Sequence, residues 1–414
     1  MRTGLVRSGV ALAAVLAGTP VTAQQTIDLP AADKAITGAA EKIFAVGKEE
    51  GQPWEVFSSV AGVAFDRAGN LYVLDRDNSR VVVFGPDGGH VRDVGSKGEG
   101  PGEFVLPMGL AVLNDDRLAV FDLGNRAVSL FDTKGAYQSM VRPDPSFGQT
   151  QQSIVAAPSG GLLVAGSQIS GGPGRPPEIR DSIPLLLVAA DGSNKTTVVL
   201  SEASPKPVMN VSGDANRQQV RIAPPPTFSP AVSWTPLSDG HIAASAGGSY
   251  MITLYSLDGK KTALFRRPIA QRKVTDRDKD LAKKQRRQAM ESGTGAIRMQ
   301  NVNGRTTVSA GGGVPPQEIE RTLAAMTFAE TVPVIRGLRG DRDGRLWIQR
   351  DGGPGSDDYP IDIVSVAGNY LGTIKGMRLP DAFGPDGRYA MIESDELGVQ
   401  SVIVWRVPRT MLGR

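Results

Sequence analysis

The 414-residue chain contains no cysteine. That excludes disulfides, a lipid-anchored cysteine, a thiolate metal site and a cysteine nucleophile. Histidine is nearly absent too. His90 and His241 each follow a tight turn, and a metal site needs two or three ligands converging from separate places. Both are therefore read as surface or packing side chains. A charge excess is also missing. The formal net charge is +3, and without Arg2 and Arg7 it falls to about +1, so a dedicated nucleic-acid binder is not expected. No Gly-x-Ser-x-Gly elbow occurs. The glycine-rich run Gly98 to Gly102 leads into no helix and no lysine follows it, so it reads as a tight connection and not as a phosphate loop. Asp75 and Asp77 do not begin an EF-hand, because Arg80 stands where the loop glycine is required.

A long apolar run is the last thing missing. Val10 to Leu16 is apolar but too short to span a bilayer, and no later stretch approaches that length. With Arg2 and Arg7 before it and Val21-Thr22-Ala23 after it, the segment reads as an export signal over residues 1–23, cut before Gln24. The expected mature protein is a soluble monomer of the periplasm or the extracellular space.

What is present is a repeat. Gly62-Val-Ala-Phe-Asp-Arg-Ala-Gly-Asn-Leu-Tyr-Val-Leu-Asp75 is followed, 47 residues on, by Gly109-Leu-Ala-Val-Leu-Asn-Asp-Asp-Arg-Leu-Ala-Val-Phe-Asp122. A period of that length, made of short apolar runs punctuated by turns, is the signature of a β-propeller blade. The turn expected between first and second strands recurs six times: Asp66 to Gly69, Asn114 to Asp116, Pro158 to Gly160, Ser238 to Gly240, Arg342 to Gly344 and Pro385 to Gly387. The turn expected between third and fourth strands recurs five times: Pro86 to Gly88, Thr133 to Gly135, Ala190 to Gly192, Leu257 to Gly259 and Val366 to Gly368. Asp and Gly suit such turns, because Gly accepts positive φ and Asp bonds the turn backbone. The sixth fourth strand is missing after Val399 to Arg406, and Glu41 to Gly47 matches it. The expectation is an all-β, six-bladed propeller over 41–414. Its N-terminal strand closes the ring, which removes free sheet edges. Residues 24–40 are expected to be a linker.

Two stretches break the period. Residues 201 to 230, ending Pro224-Pro225-Pro226, read as a long surface loop. Residues 268–332 read as a small helical insertion, dispensable for the ring. In it Thr275 and Asp278 form a capping box for a charged helix to about Ser292. A hairpin with Asn303-Gly304 at its tip follows. Pro315-Pro316 then opens a second helix with Ile319, Leu323 and Met326 on one face. The basic run Arg266 to Arg287 has two readings, a solvated face or a helix that docks on a partner or an anionic surface.

Leu71-Tyr-Val-Leu-Asp75-Arg-Asp-Asn78-Ser-Arg80-Val-Val-Val-Phe84 and Gly98-Glu-Gly-Pro-Gly-Glu-Phe104-Val-Leu-Pro107-Met-Gly109-Leu resemble the NHL repeat, over about residues 60 to 135. The whole resembles six-bladed propellers exported by bacteria. The resemblance implies a fold and not an activity, since NHL-type propellers include peptidyl-hydroxyglycine lyases, sensor domains and RNA- or protein-binding modules. Those lyases need several metal-binding histidines, where this chain has two. The function expected is a non-enzymatic binding or scaffold propeller that recognises a protein, peptide or glycan on its loop face and needs no cofactor. That face comprises residues 75–80, 95–107, 122–126, 166–182 and 350–358. Its candidate contacts are Asp75, Asp77, Asn78, Arg80, Glu99, Asp122, Asn125, Arg126, Arg180, Asp351, Asp357 and Asp358. Arg80 and Arg126 are read as equivalent, each holding its loop through a carboxylate. The alternative is a calcium-type, metal-dependent lactonase, hydrolase or lyase with its site in the central channel.

Overall fold

A computed structural model describes residues 24–142, 154–166, 169–172, 175–180, 182–189, 191, 195–200, 208–212, 219–223, 225–291, 297–302, 305–310, 314–395 and 397–407. The signal segment and the Asn303-Gly304 tip lie outside the described residues.

In the middle strands of each repeat, side chains on both faces are apolar. Leu71–Asp75 and Leu118–Asp122 are buried at every position. A strand flanked by a packed layer on each side shows this pattern, and a blade wedged between two neighbours is such a strand. In blade one, Tyr72, Leu74, Val81 and Val83 pack against Leu110, Val112, Leu118 and Val120 of blade two. The alternate residues Leu71, Val73, Val82 and Phe84 pack against Ala390, Val402 and Val404 of blade six. Four further clusters join blades two and three, three and four, four and five, and five and six. Every blade interface is thus an apolar core, and the chain is a six-bladed β-propeller.

Each blade is a four-stranded antiparallel meander, innermost strand first. Blade one comprises Val60–Phe65, Leu71–Asp75, Arg80–Phe84 and His90–Val94. Blade two comprises Pro107–Val112, Leu118–Asp122, Ala127–Phe131 and Tyr137–Val141. Blades three, four and five begin at Ile154, Ser233 and Ile335. Blade six comprises Ala382–Phe383, Arg388–Ser394 and Gln400–Arg406, with Glu41–Val46 as its outer strand. That strand pairs antiparallel with Gln400–Arg406, Glu41 opposite Arg406 and Val46 opposite Val402. At the short-turn end of the channel, the Arg342 guanidinium of blade five donates to the carbonyls of Phe65 and Asp66 in blade one.

Residues 24–40 are a strap on the ring and not a free linker. Gln25–Asp28 adds to the outer edge of blade four as a parallel fifth strand. Ala35 then bridges to Thr373 on the outer strand of blade five, with Ile36 N–H donating to the Thr373 carbonyl at 2.9 Å. Here Gly372 is required: its φ is +150°, and a Cβ would lie 2.6 Å from Ile36 Cγ1 and from the Lys34 carbonyl. Asp33 binds Arg267 at 2.8 Å and Arg350 at 2.5 Å. Both arginines also bind the fully buried Asp362. Asp362 in turn accepts the Thr373 hydroxyl at 2.6 Å. The buried charges of this cluster are therefore matched within it, which offsets their desolvation.

The long loops carry structure of their own. Residues 201–230 contain a hairpin of Val208–Ser212 with Gln219–Ala223. Residues 166–182 contain another, Ile169–Gly172 with Arg175–Ile179. The 268–332 insertion holds helix α1 (Asp276–Glu291), the hairpin Ile297–Val302 with Arg305–Ala310, and helix α2 (Pro316–Ala324).

Candidate functional site

Asp75 and Asp122, 47 residues apart, do the same job in blades one and two. Each ends a second strand with its carboxylate fully buried. Asp75 accepts the backbone N–H groups of Ser58 and Ser59 at 3.0 and 3.3 Å and the Asn78 amide at 2.7 Å. Asp122 accepts the N–H groups of Val105 and Leu106 at 2.7 and 2.9 Å and the Asn125 amide at 3.0 Å. Each carboxylate thus staples the connection arriving from the previous blade to the loop within its own blade. Backbone donors in these part-buried connections need an acceptor, and the acid supplies it.

Arg80 and Arg126 are not equivalent, and the expectation that they are is corrected by the strand register. Arg80 opens the third strand opposite Asp75, and its counterpart opposite Asp122 is Ala127. Arg126 corresponds to Ser79: the two have φ of +50° and +53°. One residue of offset changes everything for the side chain. Arg80 donates to Asp75 at 3.1 Å, to Asp93 at 3.1 Å and to the carbonyls of Pro53 and Val56 at 2.6 and 3.1 Å. Arg126 is exposed and makes no side-chain hydrogen bond or ion pair among the described residues.

The other candidates are dispersed. Asp77 pairs with Arg76 at 2.8 Å, and Asn78 and Glu99 are exposed. Arg180 is half-buried in blade three. Asp358 accepts the Gly376 N–H at 2.9 Å, and Asp357 is exposed. No hydrogen bond or ion pair among the described residues links the blade-one and blade-two groups to those of blade five. Gly98 to Gly102 forms a tight connection, with Glu103 accepting the Gly100 N–H at 2.9 Å. His90 pairs with Asp93 at 2.9 Å and stacks on Trp54 at 4.8 Å, while His241 pairs with Asp239 at 3.0 Å. Among the described residues, no three His, Cys, Asp or Glu side chains group as metal ligands.

Asp351 belongs to a different centre. Arg272, at the start of the insertion, binds it at 2.5 Å and binds Asp278 of α1 at 2.7 Å. Asp278 also accepts the N–H groups of Thr275 and Gly355 at 2.8 and 3.0 Å, completing the capping box and tying α1 to blade five. Burial acts to raise the Asp278 carboxyl, but the donors Arg272, Gly355 and Thr275 outweigh it and hold the group far below the usual carboxylate range. The hydrogen bonds that Arg272 donates to Asp278 and Asp351 raise its guanidinium above its ordinary value. The far end of the insertion is fastened as well: Lys273 bridges to Thr331, and Thr227 bridges to Phe328. Ile319 and Leu323 of α2 are buried as well.

The docked insertion and the ring border an open cleft of about 480 Å³. One wall is the segment Thr227 to Ala231, with Phe228 and Ser229. A second is α1, through Ala282, Gln285 and Arg286. The third is Pro333, Ile335 and Arg336 at the start of blade five, with Met326 beside them. Phe228 holds a φ of +70°, a conformation costly for a bulky side chain and one that collects at ligand clamps. Arg336 lies 4.3 Å over the Tyr359 ring. Mixed apolar and polar walls around a space of this size suit a small ligand or a peptide segment.

The family model DUF5128, described as a 6-bladed beta-propeller, matches residues 57–153. No curated protein matches the sequence. Among solved structures, a Bacteroides fragilis protein named only as exported is 11% identical, with a TM-score of 0.47, over 93% of this chain and 100% of its own. A streptogramin B lyase is 11% identical, with a TM-score of 0.39, over 88% of this chain and 98% of its own. A gluconolactonase of Xanthomonas campestris is 14% identical, with a TM-score of 0.38, over 84% of this chain and 85% of its own.

The cleft residues were not among the sequence candidates. The signal nearest to them was the basic run through Arg286, one of whose readings was a docking helix. Nothing in the sequence marks Thr227 to Ser229 or Arg336, which meet Arg286 only in space.

Proposed function

We propose that this chain is an exported, non-enzymatic propeller that binds a protein, peptide or glycan on its loop face, with the cleft beneath α1 as the seat. The asymmetry of the ring carries this reading. Connections at one end are all turns of four to six residues. At the other end emerge the 166–182 hairpin, the 201–230 segment and the whole docked insertion. Long structured loops cost folding entropy without adding to the blade cores, so they are kept for recognition. The cleft forms where two of them meet. The charged n-region, short apolar core and small-residue cleavage site at residues 1–23 support export, and among the described residues no helix is long and apolar enough to cross a membrane. The NHL-like pattern over residues 60 to 135 fits a binding module.

Photo-crosslinking in the producing cell tests the assignment. A photoreactive residue at Gln285, in the cleft, should give discrete adducts, and one at Asp239, on the short-turn rim, should give none. Adducts from Asp239 alone would place recognition on the other face. A stoichiometric divalent ion in the purified protein, with lactone hydrolysis lost on chelation, would instead establish the channel-enzyme reading.

A further inference from the structure

We infer that the cleft is a site for an anion on an apolar body, a carboxylate beside an aromatic or aliphatic group. This rests on the loop-face reading and specifies its ligand. Among the described residues the cleft walls carry two arginines and no aspartate or glutamate. Arg286 and Arg336 line different walls, one on α1 and one on blade five, and both are exposed. Among the described residues neither makes an ion pair or a hydrogen bond through its side chain.

Their neighbours are treated otherwise. Arg272 holds two carboxylates, Arg287 of the same helix binds Glu320 at 2.6 Å, and Arg350 binds Asp33 and Asp362. Several arginines around the cleft thus have carboxylate partners, while among the described residues Arg286 and Arg336 have none. Arg336 is also pre-positioned, since stacking on Tyr359 limits its rotamers and lowers the entropy lost on binding. Lys283 and Lys284 add exposed positive charge on the same helix, which raises the local concentration of anions. Phe228 and Met326 supply the apolar floor, and the Ser229 hydroxyl can donate to a carboxylate oxygen. A planar carboxylate accepts paired N–H donors from guanidinium groups, which an uncharged amide of the same shape cannot do equally.

The test uses the full mature chain and three probes of one shape: 4-phenylbutyrate, 4-phenylbutyramide and 4-phenylbutylamine, titrated by ligand-observed NMR. Phenylbutyrate should bind at least tenfold more tightly than the amide, and the amine should not bind. In the double variant Arg286→Gln with Arg336→Gln the acid should fall to the level of the amide. With Arg286→Glu and Arg336→Glu the preference should invert toward the amine. Both side chains are exposed, and an unchanged melting temperature confirms that the variants fold. A capped Gly-Phe-Glu-Gly peptide and its Gln counterpart distinguish the source of the carboxylate. A tighter Glu peptide assigns an acidic peptide, and tighter phenylbutyrate assigns a small free acid. Equal binding of acid and amide overturns the inference, leaving the crosslinking result to judge the loop-face reading. An acid preference that survives both double variants also overturns it, as does failure of every probe to bind.

Discussion

Replacing Arg80 by Ala separates a staple from a contact residue. In the structure the Arg80 guanidinium is shared among Asp75, Asp93 and two carbonyls of the incoming loop. Its loss leaves the buried Asp75 carboxylate with three other donors, the N–H groups of Ser58 and Ser59 and the Asn78 amide. The charge is therefore not orphaned, and the cost should fall below the 3–5 kcal/mol of a broken buried pair. It should exceed the ~1 kcal/mol of an exposed one. We expect about 2–3 kcal/mol, which for a chain this large lowers the melting temperature by about 2–4 °C. Arg80→Lys should recover less than half, because a point charge cannot serve four acceptors as the planar fork does. Arg126→Ala is the control. Its side chain is exposed and unpaired, so the change should stay within about 0.5 kcal/mol. Arg126→Gly should stabilise, since a φ of +50° costs a non-glycine residue about 1 kcal/mol. Urea denaturation with calorimetric melting reads all four variants. Equal losses at Arg80 and Arg126 would refute the register argument, and no loss at Arg80 would refute the staple.

Deleting residues 41–46 should expose the edge strand Gln400–Arg406 and produce aggregation or a much lower melting temperature; an unchanged melt would disprove ring closure. The insertion should be removable between Val274 and Glu330, whose backbones are bonded at 3.0 Å, because a short linker there preserves that bridge at little closure cost. The shortened chain should give the same near-ultraviolet dichroism and lose cleft binding, and failure to fold would make the insertion part of the core. The Asp278 carboxyl is depressed in the folded protein, so its stabilisation is complete above the unfolded carboxylate value and is lost only as pH falls through the lower folded one. Hydrogen exchange of α1 should therefore be pH-independent, after correction for intrinsic rates, down through about pH 4. Asp278→Asn should speed that exchange at every pH from about 4 upward, and faster exchange of the unmutated protein near pH 5 would contradict the assignment.

The elements that local chemistry encodes were legible before any coordinates. Turns such as Pro86-Asp87-Gly88, at Gly88 φ +86°, announce themselves by residue type, and the apolar runs between them set blade length. The capping pair Thr275 and Asp278 was readable for the same reason. The strap was not. Gln25–Asp28 pairs in parallel with a strand more than 230 residues away, and parallel pairing leaves no hairpin turn to signal it. The hairpin inside 166–182 carries Pro176 and Pro177, and the one inside 201–230 is flanked by Pro205, Pro207 and Pro224 to Pro226, so both read as loops.

By itself the sequence determined blade number, strand order and the displaced closing strand, because these follow from a period and from turns that act over a few residues. It also determined that Asp75 and Asp122 recur at one blade position. Only the tertiary structure decided that Arg80 and Ala127 share a register while Arg126 turns outward, because that depends on which residue takes positive φ. Only it brought Phe228, Arg286 and Arg336 around one cleft. Those residues sit on three elements with no common period, and their convergence depends on how the insertion docks through Arg272, Asp278 and Asp351. A propeller's blades are written in short-range chemistry, but its binding face is assembled from loops that meet only after the ring has closed.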